Sequence, residues 1–159
     1  MAAATVRVAQ PDEAETISAL LRAAFAEFAP RYTPQALARS TPEPGEVRQR
    51  FDEGPIWVAV LDGATVGTVS ALSRSDGLFV RSMAVVSAAR GQGVAKQLLA
   101  AAEAFASANR YRRLILTTTP FLSVAIHLYQ DAGFRFTGKT LDVFGTVLLE
   151  MEKELSTAP

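Results

Sequence analysis

The stretch Val80-Arg81-Ser82-Met83-Ala84-Val85-Val86, the link Ser87-Ala88-Ala89-Arg90 and the run Gly91-Gln92-Gly93-Val94-Ala95-Lys96 decide the fold. Apolar residues dominate the first part, which reads as a strand from Leu78 to Val86. From Gly91 to Ala108 the chain is rich in Ala, Gln, Leu and Glu, and Val94, Leu98, Ala101, Ala102 and Phe105 share one helical face. A strand, a short connection and glycines at a helix start together present unpaired backbone N–H groups to an anion. Arg90 and Lys96 add positive charge beside them, and the helix dipole acts in the same direction. A diphosphate is the natural ligand of such a turn. The third glycine of a dinucleotide fingerprint is missing, and so is the Gly-Lys-Ser/Thr ending of a P-loop.

Upstream, Val6 and Val8 suit a short first strand, and Pro11-Asp12-Glu13 marks a helix start. Ile17, Leu20, Leu21, Ala24, Phe25 and Phe28 recur at helical spacing, and Pro30 is expected to end that helix. Prolines at 34, 42 and 44 break the next segment into two short helices. Ile56–Leu61 and Thr65–Leu72 read as strands joined by a tight Asp62-Gly63 turn, and Ser75-Asp76-Gly77 turns the chain into the strand quoted above.

Downstream, Asn109 closes the helix, and Leu114-Ile115-Leu116 suits a central strand covered on both faces. A helix is predicted from about Leu122 to Ala132, with Gly133 as its C-terminal cap. The rest divides into two strands near Gly138 and Gly145, with Val143, Val147, Leu149 and Met151 on one face.

The chain has 159 residues, enough for one sizeable core, so 1–159 is read as a single domain. It is 49% hydrophobic and 20% charged, ordinary globular usage. Lys plus Arg total 16 and Asp plus Glu 16, leaving no net positive field for nucleic acid. The absence of cysteine excludes disulfides, thiolate metal sites and an acyl-cysteine intermediate on this chain. No metal is expected. No apolar run reaches the length of a signal peptide core or a membrane span, so a cytoplasmic protein without a membrane partner is expected.

The glycine turn resembles the pyrophosphate loop of the GNAT superfamily of N-acetyltransferases, where Gln or Arg, a Gly and a Gly or Ala stand at the places of Arg90, Gly93 and Ala95. Far along the chain, Ala125-Ile126-His127-Leu128-Tyr129-Gln130-Asp131-Ala132-Gly133-Phe134 is similar to that family's Ala-x-x-x-Tyr-x-x-x-Gly-Phe segment. The two motifs stand in the family's order, and the resemblance covers nearly the whole chain. It implies an α/β (α+β) fold: a mixed, mostly antiparallel sheet of about seven strands, splayed between the fourth and fifth, with about four flanking helices. It also implies acetyl-CoA as acyl donor, held by Met83, Ala84, Val85, Arg90, Gly91, Gln92, Gly93, Val94, Ala95, Lys96, Leu122 and Tyr129. Two positions depart from the family: Leu122 stands where many members carry Asn, and Phe79 where many carry a strand Glu.

The implied reaction is acetyl transfer to a primary amine of a small molecule or peptide, by direct attack in a ternary complex. Backbone N–H near Val85 is then the oxyanion donor, and Tyr129 the proton donor to the departing thiolate. A core tyrosine packing on the sheet is the other reading of Tyr129. His127 lies roughly 200° around the helix from Tyr129 and is expected to diverge from it. Asp76, Glu27 and Asp142 are candidates for a base acting through water, and none stands out. Phe25, Phe28 and Tyr32 are candidate acceptor-pocket residues, with Phe144 on the last hairpin a further aromatic. A coenzyme-binding module without catalysis is the alternative that Phe79 and Leu122 motivate. A homodimer formed by edge pairing of the strand from Gly145 to Met151 is a third expectation.

Overall fold

A computed structural model describes residues 3–156. Period-two alternation builds β1 (Thr5–Val8), β2 (Ile56–Leu61), β3 (Ala64–Arg74), β4 (Gly77–Val85), β5 (Arg113–Thr118), β6 (Arg135–Val143) and β7 (Thr146–Glu154). The helices are α1 (Ala14–Phe25), α2 (Pro34–Ser40), α3 (Pro44–Arg50), α4 (Val94–Ala108) and α5 (Ser123–Asp131). Pro34 and Pro44 each occupy a first helical turn, where the missing N–H costs nothing, so the proline-rich segment forms two helices.

One sheet of seven strands runs in the order β1-β2-β3-β4-β5-β7-β6. Every pair is antiparallel except β4 with β5, which the α4 crossover makes parallel. Asp62 (φ 50°) and Gly63 (φ 79°) close the β2–β3 hairpin with the left-handed pair that a two-residue turn demands. Alternation sends side chains of the sheet to two cores. Trp57, Val69, Leu78, Val80, Leu114 and Leu116 meet Val94, Leu98 and Ala102 of α4 and Tyr129 of α5. On the opposite face Ile56, Val58 and Ala84 meet Ile17, Leu20 and Leu21 of α1 and Val47 of α3. Leu114, Ile115 and Leu116 are all buried, as a central strand requires.

The structure corrects several boundaries. Helix α1 ends at Phe25, and Ala26–Arg31 continues as a 3-10 turn with Pro30 inside it. The ring of Pro30 would clash with the carbonyl four residues back, at Ala26, so the chain tightens from there and Phe28 leaves the α1 stripe. Helix α4 starts at Val94, because Gly91 (φ 78°) and Gly93 (φ 79°) are both left-handed. Gly138 (φ 90°) does not divide two strands; it lies in an irregularity of β6 between Phe136 and Thr140. Val143 belongs to β6, and Val147 is exposed, while Met151 is fully buried. The strand from Gly145 to Met151 is no edge: β7 is paired to β5 on one side and β6 on the other. The free edge at this end of the sheet is β6, so a dimer by strand pairing there would use β6.

Candidate active site

Strands β4 and β5 are joined only where Leu78 faces Leu114 and Phe79 faces Ile115. Beyond that point β4 stays with β3 up to Val85, and β5 stays with β7 up to Thr118. Each strand follows its other neighbour, and a slot opens between them. A bulge widens the departure. Thr68 pairs with Ala84 and Ser70 with Arg81, so β4 spends Ser82 and Met83 where β3 spends Val69. Ser82 takes φ 54° there, and the Arg50 guanidinium donates to its Oγ at 2.8 Å. The N–H of Val86 bonds the carbonyl of Val66 on β3 at 2.9 Å. Strand alternation therefore turns the N–H of Val85 the other way, toward the slot.

The free end of β4 leads through Ser87–Ala89 to the start of α4, where Val94 stands against Gly67 of β3, the partner of Val85. No side chain caps it, and the first helical bond runs from Gln97 N to Gly93 O at 3.1 Å. The N–H groups of Val94, Ala95 and Lys96 thus have no acceptor within the helix. A Cβ on Gly91 or Gly93 would meet nothing within 4 Å, so the ground in front of the turn is open. Gln92 and Lys96 are exposed beside it. Arg90 is engaged elsewhere: it pairs with Glu27 and donates to the carbonyls of Val85 (3.2 Å) and Ala24 (3.4 Å). It ties the end of β4 to the end of α1, which fixes where the turn sits.

Tyr129 is buried on α5, facing the α4 core, while His127 is exposed, as the helical offset requires. Burial, with a smaller contribution from Tyr32, pushes the Tyr129 phenol up to about 12. Its local geometry explains the Gly-Phe that follows. Phe134 N bonds Tyr129 O at 2.9 Å, Gly133 N bonds Gln130 O at 3.0 Å, and Gly133 adopts φ 101°. This is a Schellman ending, and its hydrophobic contact is Tyr129 on Phe134 at 5.9 Å between ring centroids. Leu122 sits at the N-cap position of the same helix, its N–H on the carbonyl of Thr119.

A family model described as "Acetyltransferase (GNAT) family" matches residues 17–134, which contain the bulge, the slot, the turn and Tyr129. The chain belongs to the GNAT acetyltransferase family. Among curated relatives, N-acetylaspartate synthetase of Danio rerio is 46% identical over 88 residues, 54% of this chain and 31% of that protein. N-acetyltransferase 8B of Homo sapiens is 36% identical over 90 residues, 53% of this chain and 40% of that protein. The chain spans about a third of the length of the first of these relatives. The PaiA N-acetyltransferase of Thermoplasma acidophilum, solved in complex with coenzyme A, shares the fold at TM-score 0.79 and 16% identity, over 97% of this chain and 100% of that one. A ribosomal-protein-alanine N-acetyltransferase from Brucella melitensis superposes at TM-score 0.74 with 26% identity, over 95% and 99% of the two chains.

The GNAT slot has two faces, and the aromatic residues singled out in the sequence gather on the α1 side. Tyr32 stacks edge-on with Phe25 (6.3 Å) and with Phe121 (4.9 Å), and Phe121 also meets Phe28 (6.4 Å) and the Arg31 guanidinium (6.0 Å). Burial raises the Tyr32 phenol above its usual range, and the nearby Thr119 and Ser40 hydroxyls offset part of that. Phe121, the hub of this cluster, lies in the link after β5, where no periodicity marks it. Phe144 is at an exposed hairpin tip and makes no ring contact with the cluster among the described residues. The same hairpin does reach this side through Thr146, whose hydroxyl accepts from Thr33 N at 3.1 Å.

Several polar side chains near the slot carry no signal in the sequence. Thr118, at the end of β5, buries a hydroxyl that has no hydrogen-bond partner, and the buried hydroxyl of Thr119, the next residue, faces the Tyr32 phenol. Glu150 is 6% exposed, the one charged side chain among the described residues that is buried. It stands opposite Thr117 on β5, and one carboxylate oxygen accepts from Thr137 at 3.0 Å. Phe79 faces Ile115, so two residues further Arg81 and Thr117 share the same sheet face across the opening, with Glu150 beyond. The three carboxylates considered from sequence are otherwise occupied. Asp76 pairs with Arg74 and Arg113 at the closed base, Glu27 pairs with Arg90, and Asp142 holds the hairpin by accepting from Gly145 N at 2.7 Å.

Proposed function

We propose that this chain transfers acetyl from acetyl-CoA to a primary amine by direct attack in a ternary complex. The observation that carries it is the conjunction of an uncapped helix start with a strand pair joined at one end only, the helix following directly from the free end of one of those strands. In this reading the N–H groups of Gly91 to Lys96 take the linked phosphates, with Lys96 and Gln92 beside them. Met83, Ala84 and Val85 line the slot for the pantetheine arm, and Leu122 and Tyr129 border it from α5. Family membership and the names of the relatives support the donor and the reaction class.

The amine nitrogen attacks the thioester carbonyl, the C–N bond forms and the C–S bond breaks. Val85 N–H, aimed at the slot, stabilises the oxyanion. The nitrogen loses its proton toward Glu150, through water, because Glu150 is the buried carboxylate on that face. Tyr129 donates a hydrogen bond to sulfur as charge builds there. Complete proton transfer from a phenol at about 12 to a thiolate near 8.5 is uphill by about three orders of magnitude, so Tyr129 stabilises the leaving group without surrendering its proton early. Phe25, Phe28, Tyr32 and Phe121 form the apolar end of the acceptor site. The relatives named N-acetylaspartate synthetase make an amino acid the first acceptor to test.

Thiol release from acetyl-CoA, followed over a panel of amino acids, small amines and peptides, tests the reading. Turnover with at least one amine is expected, falling on the order of 100-fold in Glu150→Gln. A chain that binds acetyl-CoA but acetylates none of the panel would instead be a coenzyme-binding module.

A further inference from the structure

We infer that Arg50 and Arg81, brought together at the β4 bulge, form a carboxylate-binding site that selects acceptor amines carrying an acidic group. This deepens the transferase reading and rests on it for the meaning of "acceptor". Three features of the pair point to an anion.

Arg50, at the end of α3, is charged and half-buried, yet it donates only to neutral oxygens: Ser82 Oγ at 2.8 Å and the carbonyl of Arg39 at 3.4 Å. Among the described residues no carboxylate forms an ion pair with it, and a guanidinium placed so far out of water ordinarily has one. Arg81 reaches Glu53 at 2.7 Å through one terminal nitrogen, and its Nε is buried with no hydrogen-bond partner. A buried unpaired N–H on a cation is costly, and an oxygen from outside the chain would satisfy it. The two cations also oppose each other. Burial first, and the charge of Arg81 next, pull the Arg50 guanidinium down to about 10, although Glu53 and Glu46 act the other way. A bound carboxylate would offset both with an opposite charge.

Position supplies the rest. Arg50 lines a small recess in which Thr68, Ser70 and Ser82 face apolar residues of α1, α3 and β2, and the hydroxyl of Ser70 donates to the carbonyl of Arg81 at 3.2 Å. The recess therefore abuts the backbone bulge that opens the slot. Arg81 and Glu150 lie on one sheet face on either side of that slot. An acceptor with its acidic group on the arginines can direct its amine to the opening, toward the carboxylate. Guanidinium donors suit this task, since their fork matches both oxygens of a carboxylate.

The shared chemistry admits a free amino acid or an acidic peptide terminus, and the assay separates them. Thiol release is measured for the full chain with aspartate against aspartic diamide, and with Asp-Ala amide against Asn-Ala amide. In parallel, succinate is titrated by thermal shift with and without coenzyme A. Wild type is expected to favour the acid over its amide by roughly 30-fold or more in kcat/KM, in at least one pair. That preference is expected to collapse in Arg50→Gln and Arg81→Gln, to survive in part in Arg50→Lys, and to persist in the remote control Arg22→Gln. Succinate is expected to raise the Tm of wild type and not of Arg50→Gln. The coenzyme A shift reports that each variant is folded; should Arg50→Gln fail there, Arg50→Lys and Arg81→Gln carry the comparison. Equal rates for acid and amide, or a preference that outlives both glutamine variants, overturn the inference while leaving the transferase reading intact. An arginine-dependent succinate shift without turnover of any amine does the reverse, and neither shift nor turnover overturns both.

Discussion

Tyr129 holds its proton because the α4 face buries it, and that burial has two consequences at the scale of the residue. The first is kinetic: Tyr129→Phe keeps the ring contact with Phe134 that closes the helix, and removes only the hydroxyl proposed to donate to sulfur. The variant is expected to lose about 10- to 100-fold in kcat with little change in the KM for acetyl-CoA, read by steady-state thiol release. A purely structural tyrosine would leave kcat where it was. The second is thermodynamic. The phenol titrates near 10 when unfolded and at about 12 when folded, so the folded state binds more protons between those values. Its stability contribution is whole below pH 10 and is lost as pH climbs toward 12. Denaturant titrations from pH 9 to 11.5 are expected to show wild type losing roughly 1–3 kcal/mol more than Tyr129→Phe. Parallel curves would contradict that sign.

At the scale of elements, helix α4 can lie close to the sheet because β3 offers Gly67 beneath it. A Cβ at Gly67 would stand 2.9 Å from Leu98 Cδ1, 3.1 Å from Val94 Cγ1 and 3.2 Å from the carbonyl of Ala84. Gly67→Ala is therefore expected to destabilise the fold by about 1–3 kcal/mol in chemical denaturation, and to weaken coenzyme binding by lifting the start of α4. An unchanged midpoint would show that the helix can retreat freely. Elements of this kind were legible from sequence: Asp62-Gly63, the α4 face and the Gly133 cap all rest on local rules of turn chemistry and periodicity. Where local rules misplaced a boundary, a neighbouring backbone constraint had prevailed. Pro30 tightens the chain back to Ala26, and the left-handed Gly91 and Gly93 hold off the α-helix until Val94.

At the scale of the whole molecule, the slot depends on pairing between distant segments, and those pairings are what sequence periodicity does not report. Glu150, Glu152 and Glu154 alternate like a solvent face, and only the register of β7 against β5 places Glu150 in the interior. Arg50 and Arg81 are read singly as ordinary surface charge until the α3 end is laid on the β4 bulge. Phe121 gains its place from Tyr32, far away in the chain. The glycine turn and the α5 motif were legible because each is a contiguous run whose chemistry is local, and the count of about seven strands, splayed between the fourth and fifth, followed from the family that they resemble. Edges likewise emerge only in three dimensions, where β6 and not β7 ends the sheet.

In the proposed function the open start of α4 grips the linked phosphates of a coenzyme whose thioester then reaches the slot. Isothermal titration of acetyl-CoA into wild type and Gly93→Asp tests it most directly, since an acid there places charge and bulk where no protein atom stands within 4 Å of the added Cβ. Saturable binding to wild type is expected, with on the order of 100-fold weaker binding to a Gly93→Asp chain that remains folded by circular dichroism. Equal affinity of the two proteins, or no binding by wild type at millimolar acetyl-CoA, would contradict it.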